Sequence, residues 1–352
     1  MGSLVLEPMP KISEINPLEN SQVGIVLATY NCDQAHFAAQ VRSIQNQDFP
    51  RWRCLISDDG SKPEIQDFIA NLAAEDSRFI FQIQKTNLGS YYNFESGLEF
   101  FRQDEQITHI AFADQDDIWQ PQKLSRLLQA MTASGTLLVH SDLSLIDDEG
   151  NELHPSVWEY EKRHPENLDV ELLLLRNTIT GCSTMIARSL VDDALPFPPQ
   201  AKAGDWYHDH WLAIVAAHKG IIAHVHEPLV QYRQHGQNVI GAEKQAGTIR
   251  KEIALWLAKK GRLTLQSYRI HRDLSQAFFS RFYPKEKTEQ LNPFSEQKLD
   301  FGWAILRLGC RSFFCGYGSQ GITLRLWVNK FIFDCRRTGA HLRSYRRQQN
   351  AR

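Results

Sequence analysis

Short apolar segments alternate with segments of helical spacing from Val23 to Asp142, and this alternation constrains the fold most. The strand-like segments are 23–28, 52–57, 79–84, 109–113 and 137–142, and helical segments fill the intervals. Strands that alternate with helices predict a doubly wound, mostly parallel α/β sheet with right-handed crossovers. The pattern weakens after Asp148, where residues 149–165 are predicted to form an irregular insertion.

Two acidic turns follow strands of this predicted sheet. Residues 58–61 read Asp-Asp-Gly-Ser, and residues 114–117 read Asp-Gln-Asp-Asp. Ligands of open α/β sheets bind outside the carboxyl ends of the strands, so both turns are expected at one edge. Carboxylate oxygens suit Mg²⁺ or Mn²⁺, which bridge nucleotide phosphates. The alternative is that the acidic residues only end the strands, because Asp and Gly are common in turns.

Five segments, in this order, resemble family 2 glycosyltransferases, which are inverting sugar-nucleotide transferases of the GT-A fold. They are residues 23–31, 58–61, 114–116, 208–211 and 232–238. The last segment resembles a loop of the branch that includes bacterial rhamnosyltransferases. The resemblance implies a GT-A glycosyltransferase domain over residues 22–241, preceded by a loosely ordered lead-in over residues 1–21.

The resemblance implies a nucleotide site formed by the first loops of the sheet. Its expected members are Thr29, Tyr30, Asn31, Asp59, Asn87, Asn93 and Asp114. A carboxylate at Asp59 would accept the imide N–H of uracil or thymine, so a UDP- or dTDP-sugar donor is expected. Asp58 and Asn87 could instead cap turns, and Asp117 is expected to cap the helix that follows the second acidic turn.

The metal and the diphosphate are expected at the second acidic turn. Asp116 is the predicted direct ligand of Mg²⁺ or Mn²⁺, while Asp114 would reach the ribose or a metal-bound water. His235 is a second candidate ligand, although a lone histidine is more often structural. Arg233 could pair with the diphosphate in a fork geometry.

Asp209 is the expected general base that deprotonates the acceptor hydroxyl. Its aromatic neighbours would partly desolvate the carboxylate and raise its pKa toward a useful range. Asp209 could also cap a helix over residues 211–218. The resemblance places the donor sugar and the acceptor beside Thr180, Gly181, His208 and Trp211.

The last third of the chain is basic and is predicted to be mainly helical over residues 242–352, with candidate helices over residues 249–268 and 275–282. Residues 301–352 contain ten Lys or Arg and one acidic residue, a formal charge of +9 within a chain of net charge −2. Leu324, Trp327, Val328, Phe331, Ile332 and Cys335 would form one apolar helix face. That face either packs on the main domain or lies on an anionic membrane.

Composition places the protein in the cytoplasm, with peripheral attachment to the inner face of the plasma membrane as the alternative for the basic tail. The six cysteines lack the spacing of a disulfide framework, and no apolar run approaches the roughly 20 residues of a membrane span. No basic-then-apolar signal pattern stands at the N-terminus, and no nucleic-acid partner is expected.

The expected function is transfer of a sugar, with L-rhamnose favoured, to a lipid-linked glycan in bacterial surface polysaccharide synthesis. No Gln-x-x-Arg-Trp sequence is present, which argues against a polymerising synthase. A nucleotidyltransferase is one alternative, but the loop 29–33 lacks the Gly-rich, basic character of its phosphate loop. A non-catalytic sugar- or nucleotide-binding module is the other, and it would not need Asp209 together with the metal motif.

Overall fold

The computed structural model describes residues 21–133, 135–166, 168–234, 262–295, 300, 302–314, 326–331 and 334–335. Nine strands form a single sheet: β1 Val23–Thr29, β2 Trp52–Asp58, β3 Phe79–Ile83, β4 His109–Ala113, β5 Ile118–Trp119, β6 Thr136–Ile146, β7 Glu152–His154, β8 Thr184–Ala187 and β9 Ile221–Arg233. The five predicted strands are confirmed within a residue or two, except that β6 runs four residues further.

The helices that flank the sheet follow the predicted alternation. They are α1 Gln34–Gln45, α2 Pro63–Ala73, α3 Ser90–Arg102, α4 Lys123–Ala130, α5 Val157–Glu161, α6 Val170–Leu175, α7 Ser189–Ala194, α8 His208–Lys219, α9 Arg262–Phe282, α10 Lys285–Leu291 and α11 Trp303–Phe314. The predicted irregular insertion contains one short strand, β7, and one short helix, α5.

The sheet has a parallel half and a mixed half. Its strand order is β3-β2-β1-β4-β8-β6-β9-β5, with β7 on β6. Strands β3, β2, β1 and β4 are parallel, and β6 is parallel to β9, while β8 and β5 run antiparallel to their neighbours. The parallel pairing brings the carboxyl ends of β1, β2 and β4 to one edge, as the sequence predicted.

The core has one apolar layer on each face of the sheet. Helices α1, α2 and α4 cover one face, and α3, α7 and α8 cover the other. Gly97 lets α3 approach β1 closely, because a Cβ at this position would lie 2.3 Å from a methyl carbon of Val26. Both faces are therefore buried, which explains why the central strands are continuous apolar runs.

The C-terminal helices share the core of the main domain. Leu274, Phe278 and Phe279 of α9 pack in the layer beneath α8, and Leu308 and Leu326 pack with Leu175 in a third apolar cluster. The predicted helix Ser275–Phe282 is thus the end of a longer helix. The predicted helix 249–268 lies mostly outside the described residues.

The apolar face predicted for residues 324–335 is wrong in part. Lys330 and Asp334 are fully buried as an ion pair of 2.7 Å, whereas Phe331 and Cys335 are exposed. Asp300 lies 3.7 Å from the Lys330 ammonium group and adds a second acidic partner. A buried cation is tolerated here because it is paired, which side-chain polarity alone does not reveal. Leu324 and Ile332 lie outside the described residues.

Within the part of the chain that the structure describes, no helix combines the length and apolar character needed to cross a bilayer.

Candidate active site

Gln115 in the second acidic turn connects that turn to the loop that follows β1. The Gln115 side-chain carbonyl accepts a hydrogen bond from the Thr29 hydroxyl at 3.0 Å and from the Tyr30 N–H at 2.8 Å. Asn31 adopts a left-handed φ of 44° and binds residues 61 and 62 through its N–H and its side-chain oxygen. The three expected nucleotide residues of the first loop are therefore held against both acidic turns.

The carboxylates of the first acidic turn are held by hydrogen-bond donors. Asp58 is fully buried and accepts from the N–H and hydroxyl of Ser61 and from the side-chain amide of Gln66. Asp59 accepts from the N–H groups of Leu88 and Gly89 at 2.6 and 2.8 Å. Burial nevertheless raises the pKa of Asp59. Asp58 is the turn cap that the sequence offered as its alternative role.

Asn87 and Asn93 are tied to the protein in different ways. The Asn87 amide donates to the Asp59 carbonyl at 3.0 Å and positions the loop beside the first acidic turn. Asn93 is 1% exposed, donates to the Ser57 carbonyl and accepts from the Ser57 hydroxyl. Asn93 thus joins α3 to β2 beneath the loop, and the expectation that it contacts the nucleotide is not supported by this placement.

The second acidic turn brings several buried or half-buried carboxylates close together. Burial, together with the charges of Asp116 and Asp209, raises the pKa of Asp114 to about 7. Burial likewise raises the pKa of Asp117, one of whose oxygens has no hydrogen-bond partner among the described residues. Asp117 accepts from the Arg233 N–H, so its expected role as a helix cap is wrong; Gln122 occupies the N-cap of α4.

A buried lysine lies beneath the second acidic turn. Lys123 is fully buried, donates to the Cys182 carbonyl at 2.5 Å and lies 3.2 Å from the centre of the Trp119 ring. Burial lowers the pKa of Lys123 to about 7, while the nearby carboxylates oppose this shift.

The chemistry of this turn fits a hard divalent cation. Ligand atoms of Asp114, Asp117 and Cys182 lie within 4.8 Å of one another. The Cys182 thiol is buried and its pKa is raised well above the usual value, so it is a neutral neighbour and not a thiolate ligand. Oxygen ligands from Asp114 to Asp117 would suit Mg²⁺ or Mn²⁺.

Asp209 faces this turn from the first turn of α8. Its carboxylate accepts from the Asn177 amide at 3.1 Å, the Gly181 N–H at 3.0 Å and the His210 N–H at 2.6 Å. Burial raises the pKa of Asp209 to about 6 against these three hydrogen bonds, each of which lowers it. The N-cap of α8 is Tyr207, so Asp209 lies inside the helix and does not cap it.

The other expected donor-sugar and acceptor residues separate into two groups. Thr180 and Gly181 lie beside Asp209, and the Thr180 hydroxyl accepts from Arg163 at 2.7 Å. His208 stacks on Phe94 with ring centres 3.7 Å apart, and burial lowers its pKa to about 3. A Cβ at Gly181 would lie 2.5 Å from the His208 ring, so only glycine fits there.

The expectation that His208 and Trp211 contact a sugar is wrong. Trp211 is fully buried and donates to the Ala194 carbonyl at 2.9 Å, and His208 is 5% exposed. Both side chains belong to the apolar layer around α8. In a sequence, aromatic residues beside a general base suggest sugar binding. The positions of His208 and Trp211 around the axis of α8, however, direct both side chains into the core.

Comparison with known proteins places the domain in a family. The sequence profile described as Glycosyl transferase family 2 matches residues 24–194. This part of the chain belongs to glycosyl transferase family 2. A Bacillus subtilis glycosyltransferase named provisionally for teichuronic acid biosynthesis, TuaG, is 26% identical over 60% of this chain and 78% of its own length.

Two further comparisons agree with this family. The Escherichia coli enzyme WfgD, named as a UDP-Glc:α-D-GlcNAc-diphosphoundecaprenol β-1,3-glucosyltransferase, is 24% identical over 56% of this chain and 71% of its own length. The crystal structure of Staphylococcus aureus TarS residues 1–349 superposes with a TM-score of 0.54 at 12% identity, over 88% of this chain and 91% of TarS. The GT-A fold and the glycosyltransferase class predicted from the sequence are therefore confirmed.

The late loop of this family 2 domain is only partly described. Arg233 is 3% exposed, and its guanidinium donates to the carbonyl oxygens of Asp116, Asp147 and Asp148 at 2.8–2.9 Å. This arginine holds the second acidic turn against the end of β6, which differs from the expected diphosphate contact. His235, the second candidate metal ligand, lies outside the described residues.

Four residues of the glycosyltransferase site were missed in the sequence. Asn177 and Arg163 position Asp209 and Thr180, Gln115 joins two loops, and Lys123 supports the acidic turn from below. Gln115 could have been noticed because it lies within the acidic motif. The other three carry no local signal, since they reach the site only through the tertiary fold.

Proposed function

We propose that the protein is an inverting glycosyltransferase of surface polysaccharide synthesis that uses Mg²⁺ or Mn²⁺. It moves a sugar from a UDP- or dTDP-sugar to a glycan hydroxyl. The observation that carries this proposal is the position of Asp209, a half-buried carboxylate of raised pKa whose charge raises the pKa of Asp114 in the second acidic turn. Asp209 would supply the base, and the adjacent acidic turn would bind the metal ion that stabilises the leaving group.

Asp209 would act as the general base. A pKa of about 6 leaves the carboxylate ionised at neutral pH and makes it more basic than an ordinary aspartate. The hydrogen bonds from Asn177, Gly181 and His210 fix its orientation, so little motion is needed when an acceptor hydroxyl arrives. A single base on the face opposite the leaving nucleotide gives inversion at the anomeric carbon.

The second acidic turn would hold the divalent ion through Asp116, with Asp114 and Asp117 beside it. Bound there, Mg²⁺ or Mn²⁺ would neutralise the charge that develops on the departing diphosphate. Arg233 and Gln115 hold the turn in place through the hydrogen bonds described above. The Asp117 oxygen that has no hydrogen-bond partner among the described residues, and the crowding of carboxylates, support this assignment.

The donor and acceptor are proposed by different arguments. Thr29, Tyr30, Asn31 and Asp59 surround the edge where a uracil or thymine nucleotide would bind, and the Asp59 oxygens keep lone pairs for its imide N–H. L-Rhamnose rests only on the resemblance of residues 232–238. A lipid-linked acceptor is proposed because the name of WfgD specifies a diphosphoundecaprenol-linked one.

Nucleotide release from a panel of UDP- and dTDP-sugars tests the proposal. We expect the Asp209→Asn variant to keep donor affinity and to lose turnover by roughly 10²–10⁴, as removal of a general base does. The matched control is Asp67→Asn, an exposed aspartate of α2, which should leave turnover unchanged. Released pyrophosphate instead of a nucleoside diphosphate would identify a nucleotidyltransferase, and binding without turnover would identify a non-catalytic module.

We also propose that the C-terminal helices bring the enzyme to an anionic membrane. Trp303 is 67% exposed and Phe331 is 42% exposed, although both belong to the region of highest positive charge. The ring centre of Phe331 lies 5.9 Å from that of Trp327, and a Cβ at Gly302 would lie 2.8 Å from the Trp327 ring. Exposed aromatic rings among basic side chains suit the interface of an anionic bilayer, where each Lys or Arg contributes about 1 kcal/mol.

Vesicle sedimentation tests this attachment. The variant Trp303→Ser with Phe331→Ser should bind phosphatidylserine vesicles at least roughly tenfold more weakly, and wild-type binding should decline as salt screens the charges. Leu153→Ser is the matched control, because Leu153 is 56% exposed on β7, outside the basic region. Equal binding of both variants, or no binding of the wild type at low salt, would contradict the membrane proposal.

A further inference from the structure

A second group of metal-type side chains lies outside the active site. Ligand atoms of Glu166, His224 and His226 all lie within 4.8 Å of one another. His224 and His226 are two residues apart on β9, so both side chains project from the same face of the strand. Glu166 reaches them from the segment between α5 and α6, and its carboxylate is 4.0 Å from His226 Nε2.

We propose that Glu166, His224 and His226 form a binding site for one Zn²⁺ ion. Two imidazoles and one carboxylate are the ligand set of zinc sites with three protein ligands, where water takes the fourth position. This nitrogen-rich set differs from the oxygen-only acidic turn, which suits Mg²⁺ or Mn²⁺. The two sites therefore select different metals.

The geometry of the group needs only small side-chain movements to close on an ion. A tetrahedral site with bonds of about 2.0–2.1 Å places its ligand atoms about 3.3 Å apart. His226 and Glu166 are 69% and 48% exposed, so their side chains can rotate without disturbing the core.

A third histidine and a tryptophan border the same group. His140 pairs with His224 across β6 and β9, is 1% exposed, and has no hydrogen-bond partner on either ring nitrogen among the described residues. The Trp158 ring centre lies 5.2 Å from His140 and 5.6 Å from His226. His140 is not within the 4.8 Å group, so it is a neighbour of the site and not an assigned ligand.

The ion would tie the insertion between β6 and α6 to strand β9. Glu166 is three residues from Arg163, which donates to the Thr178 carbonyl at 3.1 Å and the Thr180 hydroxyl at 2.7 Å. Thr180 precedes Gly181, whose N–H binds Asp209. Zinc bound at Glu166 would therefore hold the segment that supports the candidate base, while taking no part in the reaction.

Zinc titration of the EDTA-treated full-length protein tests the site. Excess Mg²⁺ is kept present to occupy the acidic turn, and calorimetry follows the binding of ZnCl₂. We expect one equivalent to bind in the wild type, with affinity at least about tenfold lower in His226→Ala and in Glu166→Gln, because even outer-shell changes cost 10–100-fold. The control is His164→Ala, a histidine of the same segment outside the group, which should match the wild type.

Proteolysis measures the consequence of binding. Zinc should slow trypsin cleavage at Lys162 and Arg163 in the wild type and not in His226→Ala. Unchanged zinc affinity in both ligand variants, or no binding by the wild type, would overturn the proposal. None of these readouts depends on sugar transfer, so the zinc site and the glycosyltransferase assignment can fail separately. Circular dichroism confirms that each variant is folded before its affinity is compared.

Discussion

The two acidic turns are similar in sequence but differ in how their carboxylates are satisfied. In the first, Asp58 and Asp59 accept hydrogen bonds from nearby N–H, hydroxyl and amide donors. In the second, Asp117 keeps an oxygen without a partner among the described residues, and burial raises the pKa of Asp114 to about 7. The first turn is held in place by donors of the protein itself, whereas the second turn offers an acceptor oxygen that would suit a cation.

This difference indicates a structural role for the donors around the first turn and makes the carboxylates of the second turn candidates for a functional role. A carboxylate with several donors is stabilised in its charged form, so it can hold a loop in one conformation. Carboxylates that crowd one another in a buried site destabilise the fold unless a positive charge joins them. Asp209 is intermediate, because it has three donors and still has a pKa raised to about 6 by burial.

The largest expected effect comes from removing one charge from the second turn. We expect Asp116→Asn to reduce transfer at saturating donor at least about 100-fold, because a divalent ion supplies several kcal/mol at the departing phosphate. The fold should be as stable as the wild type or more so, since a like charge is removed. EDTA should reduce wild-type turnover similarly, measured by nucleoside diphosphate release.

The matched change in the first turn should give the reverse pattern. Asp58→Asn removes a charged acceptor from buried donors, so the free energy of unfolding should fall by about 1–3 kcal/mol. Transfer at saturating donor should stay within several-fold of the wild type. Full activity of Asp116→Asn, or a loss in Asp58→Asn as large as in Asp116→Asn, would remove the distinction between the turns.

The second expected effect is that Asp114 lowers the free energy of unfolding in the absence of metal, by an amount that depends on pH. An ordinary aspartate has a pKa of 3.8, and the folded value is about 7, so the folded protein holds a proton that the unfolded chain has lost. The stability from this proton is complete below pH 4 and is lost as pH rises through 7. In EDTA at pH 8, Asp114→Asn should be more stable than the wild type by about 1–3 kcal/mol.

The quantity to measure is the difference in the free energy of unfolding between the wild type and Asp114→Asn, determined by urea unfolding between pH 5 and pH 8. Buried histidines such as His208, with a pKa lowered to about 3, shift stability in the opposite direction. They are common to both proteins and cancel in the difference. A difference that does not grow between pH 5 and pH 8 would show that Asp114 is not the destabilised carboxylate.

The sequence predicted the sheet and the acidic edge well because both depend on local patterns. Continuous apolar strands and turns of Asp and Gly are visible within a few residues, and Asp209 was chosen as the candidate base through its resemblance to a known segment. Helix phase was harder: Trp211 and His208 face the core, although their neighbours suggested a sugar site. Lys330 is buried although it is charged, because it pairs with Asp334 and with Asp300, which lies thirty residues earlier.

The smallest expected effect tests the intermediate case, Asp209, through a residue that the sequence did not reveal. The Asn177 amide donates to Asp209 Oδ1 at 3.1 Å, and this hydrogen bond lowers the pKa of Asp209. Asn177→Ala should raise that pKa further and move the acidic limb of the turnover–pH profile to higher pH. At pH 7 we expect turnover to fall roughly tenfold or less, because the Gly181 and His210 N–H groups still orient the carboxylate.

A purely structural Asn177 would change stability and leave the acidic limb where it is. The position of the acidic limb in the turnover–pH profile is therefore the deciding measurement, and the variant Asn177→Asp tests it more strongly. A second carboxylate 3.1 Å from Asp209 should raise the pKa by repulsion, so the limb should move further than in Asn177→Ala. If turnover falls in both variants while the acidic limb stays at the wild-type pH, Asp209 is not the base that removes the proton.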